Sequence, residues 1–144
     1  MAHRSDTQMP ELLEDLCLLL LQSSDTESAH RLWEGLVEVG GSRPGTWMIG
    51  GLIAFAEGRY ADAEGAYRQV LALRPQNVGA HCFLAESLIA QRRLADADAV
   101  LARLGGPSST GDPELAFAQA LREGLSSGLF RQAAATAPRR FALR

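Results

Sequence analysis

The sequence predicts an all-α superhelix: three antiparallel helix pairs followed by a C-terminal capping helix. Three observations lead there. Segments 10–43, 44–77 and 78–111 align without a gap at one constant spacing of 34 residues. Alanine recurs at 29, 63 and 97, and four residues after each stands a large side chain, Trp33, Tyr67 or Leu101. A small residue where two helices cross lets their backbones approach, and a bulky one a turn later fills the space beside the crossing. Clusters of Gly, Ser and Pro break the chain at matching places in successive segments.

Taken in order, residues 1–9 are polar and read as a flexible N-terminus. Pro10 suits the first turn of a helix running to about Gln22, which breaks at Ser23-Ser24-Asp25. Asp25 or Thr26 caps a second helix to about Val39, stopped by Gly40-Gly41. A third helix spans about Gly45 to Glu57 and a fourth Ala61 to Leu73; Gly58 permits a tight connection between them, and Pro75 cannot continue the fourth. Asn77 caps a fifth helix to about Arg92, and a sixth covers Ala95 to Leu104. The run from Gly105 to Gly111 is a connector. Asp112-Pro113-Glu114 then offers a cap, a proline at the first helical position and an acid in the first turn, opening a capping helix over 112–125. The basic stretch 126–144 continues as one more short helix over 129–137 or as a frayed tail. The domain is therefore 10–125.

The middle copy carries the fullest motif, Trp47-x2-Gly50-Gly51-x2-Ala54, then Gly58, Tyr60, Ala63-x3-Tyr67 and Pro75. The third copy matches at His81, Leu84, Ala85, Leu88, Ala97 and Leu101, and the first at Leu13, Leu16, Cys17, Leu20, Ala29 and Trp33. This resembles the tetratricopeptide repeat, departing at Gly50 where the pattern has Leu and at Ala54 where it has Tyr.

Composition narrows the function classes. Residues 1–121 hold nine arginines against sixteen acids, a net charge of −7, whereas 122–144 hold five arginines against Glu123 alone, a net of +4. An acidic body lacks the basic face that phosphate binding needs, so nucleic acid is not expected as a partner. Cys17 and Cys82 stand far apart without Cys or His at ligand spacing, and read as buried thiols, with a disulfide between repeats as the alternative. No metal or cofactor is implied. His3, His30 and His81 are scattered, and the serine pairs 23–24 and 126–127 have no His or Asp constellation beside them, so no enzyme is read here. Gly40-Gly41 and Gly50-Gly51 lack the Lys-Ser or Lys-Thr of a phosphate loop. No stretch approaches a membrane span, and the short apolar run Cys17–Leu21 behind acidic residues does not make a signal peptide, which places the protein in the cytoplasm.

In tetratricopeptide arrays the first helix of each pair lines the concave surface, and the resemblance implies that a partner lies there. Counted at helical spacing, that face carries Glu11, Glu14, Leu18, Leu21 and Gln22, then Met48, Leu52, Phe55 and Ala56, then Cys82, Glu86, Ile89 and Ala90. The partner-binding set is Leu18, Leu21, Met48, Leu52, Phe55, Cys82, Glu86 and Ile89. Such a face has no cation to neutralise a C-terminal carboxylate and suits an apolar segment, extended or as an amphipathic helix. The same leucines can instead meet the chain's own termini or a second copy. The helix over 10–22 is apolar on every side from Cys17 to Leu21, which points to a homodimer through those residues.

The stretch His81-Cys82-Phe83-Leu84-Ala85-Glu86-Ser87-Leu88 with Leu94-Ala95-Asp96-Ala97 resembles the third repeat of the cytoplasmic chaperones of bacterial type III secretion that hold translocator or needle subunits. Arg92-Arg93 stands where those chaperones usually carry a glycine. The resemblance implies a virulence-related chaperone that covers an apolar segment of a secreted protein; the alternative is a non-catalytic adaptor or accessory protein of a secretion apparatus.

Overall fold

The computed structural model describes residues 3–104 and 112–131, with side chains from residue 8 onward. Seven α-helices are assigned: α1 (His3–Gln22), α2 (Thr26–Gly40), α3 (Pro44–Ala56), α4 (Tyr60–Leu73), α5 (Val78–Ala90), α6 (Leu94–Ala102) and α7 (Pro113–Ser126). Helical backbone resumes at 129–131. No strand occurs among the described residues. Successive helices pack on one another; α1 also reaches α3, and α7 rests on both α5 and α6. The expected connector over 105–111 and the stretch 132–144 lie outside the described residues.

Three caps form as the sequence implies. The carboxylate of Asp25 accepts from the Ser28 N–H at 3.1 Å, the Asn77 side chain from the Ala80 N–H at 2.9 Å, and Asp112 from the Glu114 N–H at 3.0 Å. The first helix differs. It begins at His3 and runs through Pro10, so residues 3–9 are helical rather than a separate flexible segment. A proline lacks one backbone N–H and crowds the preceding turn, which is why a sequence reading starts a helix there; here its ring is buried, which offsets part of that loss.

The turns inside the three pairs repeat with the same phase as the sequence. Ser24, Gly58 and Arg92 all adopt left-handed backbone, with φ of 64°, 76° and 65°. In each, the next N–H bonds back five residues: Asp25 to the Leu20 carbonyl, Arg59 to Ala54 and Arg93 to Leu88, at 2.8–2.9 Å. Only the middle copy has the glycine this geometry favours. Arg59 and Arg93 then grip Asp62 and Asp96, three residues on, at 2.9 and 3.0 Å.

Ala29, Ala63 and Ala97 are fully buried at the helix crossings, and Leu101 and Tyr67 fill the space beside them. The adjacent glycines of α3 serve two neighbours. A Cβ on Gly51 would meet the Tyr67 ring of α4 at 2.5 Å, and one on Gly50 would meet the Trp33 ring of α2 at 2.7 Å. Trp33 completes its side by donating its indole N–H to the Thr46 carbonyl at 2.8 Å, and Tyr67 stacks on Phe83 of α5 with ring centroids 5.6 Å apart. α3 thus separates two cores. Cys17, Ala29, Leu36, Ile49 and Ile53 form one; Ala54, Ala63, Tyr67, Leu84, Leu88, Leu101, Ala118 and Leu121 are among the residues of the other.

On the rim, Glu64 binds Arg68 of its own helix at 2.9 Å, Arg93 at 2.7 Å and the Gln91 amide at 3.1 Å, tying α4 to the α5–α6 turn. Burial alone would raise its carboxyl pKa, but the bonds from Gln91 and Arg68 and the two guanidinium charges bring it below the usual range.

Gly51→Ala is expected to lower stability by about 1–3 kcal/mol, although alanine is the better helix former, because Tyr67 has nowhere to go. Arg92→Gly should raise stability by about 0.5–1 kcal/mol by relieving the left-handed backbone. Denaturant midpoints of the two variants test both signs.

Candidate partner-binding groove

Among the first helices of the pairs, α1 packs on α3 and α5 packs on α7. On the predicted inner face Leu18 is exposed, while Leu21, Met48, Leu52, Phe55, Glu86 and Ile89 are half-buried. Met48, Phe55 and Ile89 rest on the larger core and Leu21 on the smaller one, so each is held from beneath while part of it faces outward. Phe55 is further fixed by an edge-to-face contact with Tyr60, centroids 5.0 Å apart. Among the other residues of that count, Glu11, Gln22 and Ala56 are exposed and Ala90 is half-buried.

Cys82 does not belong to an open wall. It is 1% exposed, and its thiol points to the Glu114 carbonyl of α7 at 3.6 Å. Burial, with Glu114 and Glu86 adding to it, pushes that thiol up to about 11. Helical spacing puts Cys82 on the inner face of α5, and α7 lies over that part of the helix. Cys17 and Cys82 are both free and buried, which removes the disulfide alternative.

The acids of this face divide into two kinds. Glu14 lies against Gly45 at the start of α3 and pairs with Arg43 at 3.7 Å. Its carboxyl pKa is raised by burial, with Arg43 opposing. Glu86 is half-buried on α5 and has no hydrogen bond or ion pair among the described residues. Burial alone raises its pKa, and its charge in turn adds to the burial that drives the Tyr67 hydroxyl up.

A second surface was not anticipated in this form. α1 exposes Met9 by 54%, Leu12 by 62%, Leu16 by 44% and Leu19 by 59%. These positions follow heptad spacing and form one apolar seam along the helix. Its spacing is legible in the sequence, but a helix started at Pro10 leaves Met9 out. The segment Cys17–Leu21 is not buried all round: Cys17 is buried, Leu20 and Leu21 are half-buried, and Leu18 and Leu19 are open to solvent.

His30 and His81 have structural partners. His81 is 7% exposed and bonds the Asn77 carbonyl through Nδ1 at 2.9 Å, and His30 meets Glu57 at 2.7 Å. Among the described residues no cluster of His, Cys, Asp and Glu could hold a metal ion, and no helix is long and apolar enough to cross a membrane. A cavity of about 450 Å³ opens between α4 and α6, lined by Arg68, Leu71, His81, Leu84, Arg93 and Arg103. Two of its arginines are already engaged, Arg68 by Glu64 and Arg93 by Glu64 and Asp96.

Two family models match this architecture, both described as tetratricopeptide repeat, one over residues 15–78 and the other over 54–121. They overlap on α4 and together run from α1 to α7. The chain is a tetratricopeptide-repeat protein. No curated protein and no solved structure matches it. Tetratricopeptide repeats act as protein-interaction modules, so the repeat array points to protein binding rather than to chemistry on a small molecule.

For Glu86 the raised folded pKa means that the ionised form is disfavoured in the folded chain. The resulting loss of stability is complete above the folded pKa and disappears below the ordinary carboxyl range, where the group is protonated in both states. Glu86→Gln is therefore expected to raise the thermal midpoint at neutral pH by about 2–5 °C, with a gain that fades as the pH falls through the raised folded pKa and is gone below about 4. Melting curves across pH provide the check.

Proposed function

We propose that this tetratricopeptide-repeat protein is a cytoplasmic chaperone of a bacterial type III secretion system. It holds an apolar or amphipathic segment of a secreted translocator, needle or filament subunit against the face of α1, α3 and α5. The observation that carries this reading is the row of half-buried apolar side chains Met48, Leu52, Phe55 and Ile89, of which Met48, Phe55 and Ile89 rest on the larger core. Subunits that assemble into pores or filaments carry apolar helices that would associate early, and such a row can cover one while the acidic body keeps the complex soluble. The resemblance of residues 81–97 to the third repeat of translocator chaperones agrees with it.

Leu52→Asp together with Phe55→Asp is expected to abolish co-purification of one small secreted protein from the native host, read by mass spectrometry. Retention of that protein by the double variant overturns the groove assignment. Recovery of large apparatus components indifferent to these substitutions favours the adaptor instead.

The seam of Met9, Leu12, Leu16 and Leu19 supports a second contact, a homodimer through α1. The four positions are symmetric about residue 14, so two antiparallel copies place Met9 opposite Leu19 and Leu12 opposite Leu16. Leu12→Glu with Leu16→Glu is expected to convert a dimer into a folded monomer in light scattering; an unchanged mass for wild type and variant excludes the seam.

A further inference from the structure

We infer that Glu86 selects partners: the segment bound on the α1–α3–α5 face carries one lysine or arginine among its apolar residues, and that cation pairs with the Glu86 carboxylate. This rests on the groove reading above and adds to it the chemistry of the ligand.

The argument is a contrast within the molecule. Two other glutamates are sheltered, with side chains 14% exposed at Glu64 and 16% at Glu14. Each faces an arginine from another helix or turn, Arg93 for Glu64 at 2.7 Å and Arg43 for Glu14 at 3.7 Å. Withdrawing a carboxylate from water is unfavourable unless a cation or donors replace the lost solvation; this chain supplies both at Glu64, and a cation at Glu14, where one carboxylate oxygen is buried without a hydrogen bond among the described residues. At Glu86 it supplies none among the described residues. The ionisable groups that interact with it are Tyr67 of α4 and Cys82 of its own helix, which offer no positive charge. Glu114 of α7 adds a further negative charge at Cys82.

Position gives the missing partner a direction. Glu86 stands on the same helix face as Ile89, one turn away, and shares the inner surface with Met48, Leu52 and Phe55. A lysine or arginine suits such a place because its methylene stem lies along apolar side chains while its head reaches the carboxylate. The carboxylate then sets register: an apolar row accepts many segments at many offsets, whereas one charge amid it accepts those with a cation at one position.

The test is selection from a library of random short peptides displayed on phage, with wild type, Glu86→Gln, Glu86→Arg and Leu52→Asp as baits. Wild type is expected to enrich apolar sequences carrying a lysine or arginine at a fixed register. Glu86→Arg should enrich aspartate or glutamate there, and Glu86→Gln, which keeps the side-chain shape if the arginine variant fails to fold, should show no charge preference. Replacing the cation of an enriched peptide by norleucine should weaken binding to wild type about tenfold and leave binding to Glu86→Gln unchanged. Peptides lost in Leu52→Asp but showing no cation overturn the inference and leave the groove intact. Enrichment indifferent to Leu52→Asp, or no enrichment at all, removes the groove reading and this inference with it.

Discussion

The close approach of α3 and α4, set by Gly51 beneath the ring of Tyr67, is the constraint on which the rest of the fold depends. That ring reaches three helices at once: it lies on α3, belongs to α4 and stacks on Phe83 of α5. Beside it, Gly50 admits Trp33 from α2 in the same way. Two missing side chains therefore position the helices on both sides of α3. On α3 the apolar row that includes Met48, Leu52 and Phe55 lies beside the arc that these aromatic rings fill.

The repeat itself was legible because its signals are local or strictly periodic. Ala29, Ala63 and Ala97 announce crossings by size alone, and Asp25, Asn77 and Asp112 announce helix starts by their capping chemistry. Other features depend on pairs of residues far apart in the chain. Gly50 reads as a departure from the motif until Trp33 is seen to occupy the room a larger residue would need. Cys82 reads as part of a wall until α7 covers it. The start of α1 is misplaced because the rule about proline is a local one, and a buried ring overrides it.

Arg92 is instructive in the same way. A resemblance built on glycine at the turn is weakened by arginine there, yet the backbone makes the same left-handed turn as Gly58, with the same bond spanning five residues. Packing on either side of the turn fixes its geometry, and the backbone at Arg92 bears the strain. Ser24 repeats the case in the first pair. Sequence identity at a turn is thus a weaker guide to its shape than the spacing of the buried residues flanking it.

The division of the interior by α3 bears on how the chain reaches its fold. Each core is built almost wholly from helices adjacent in sequence, so the loops that must close are short and the contact order is low. Either core can serve as a nucleus, and the other can grow from it across α3, the one helix common to both. Unfolding need not be all-or-none for the same reason: α1 and α2 can open with the smaller core while the larger one, braced by α7, persists.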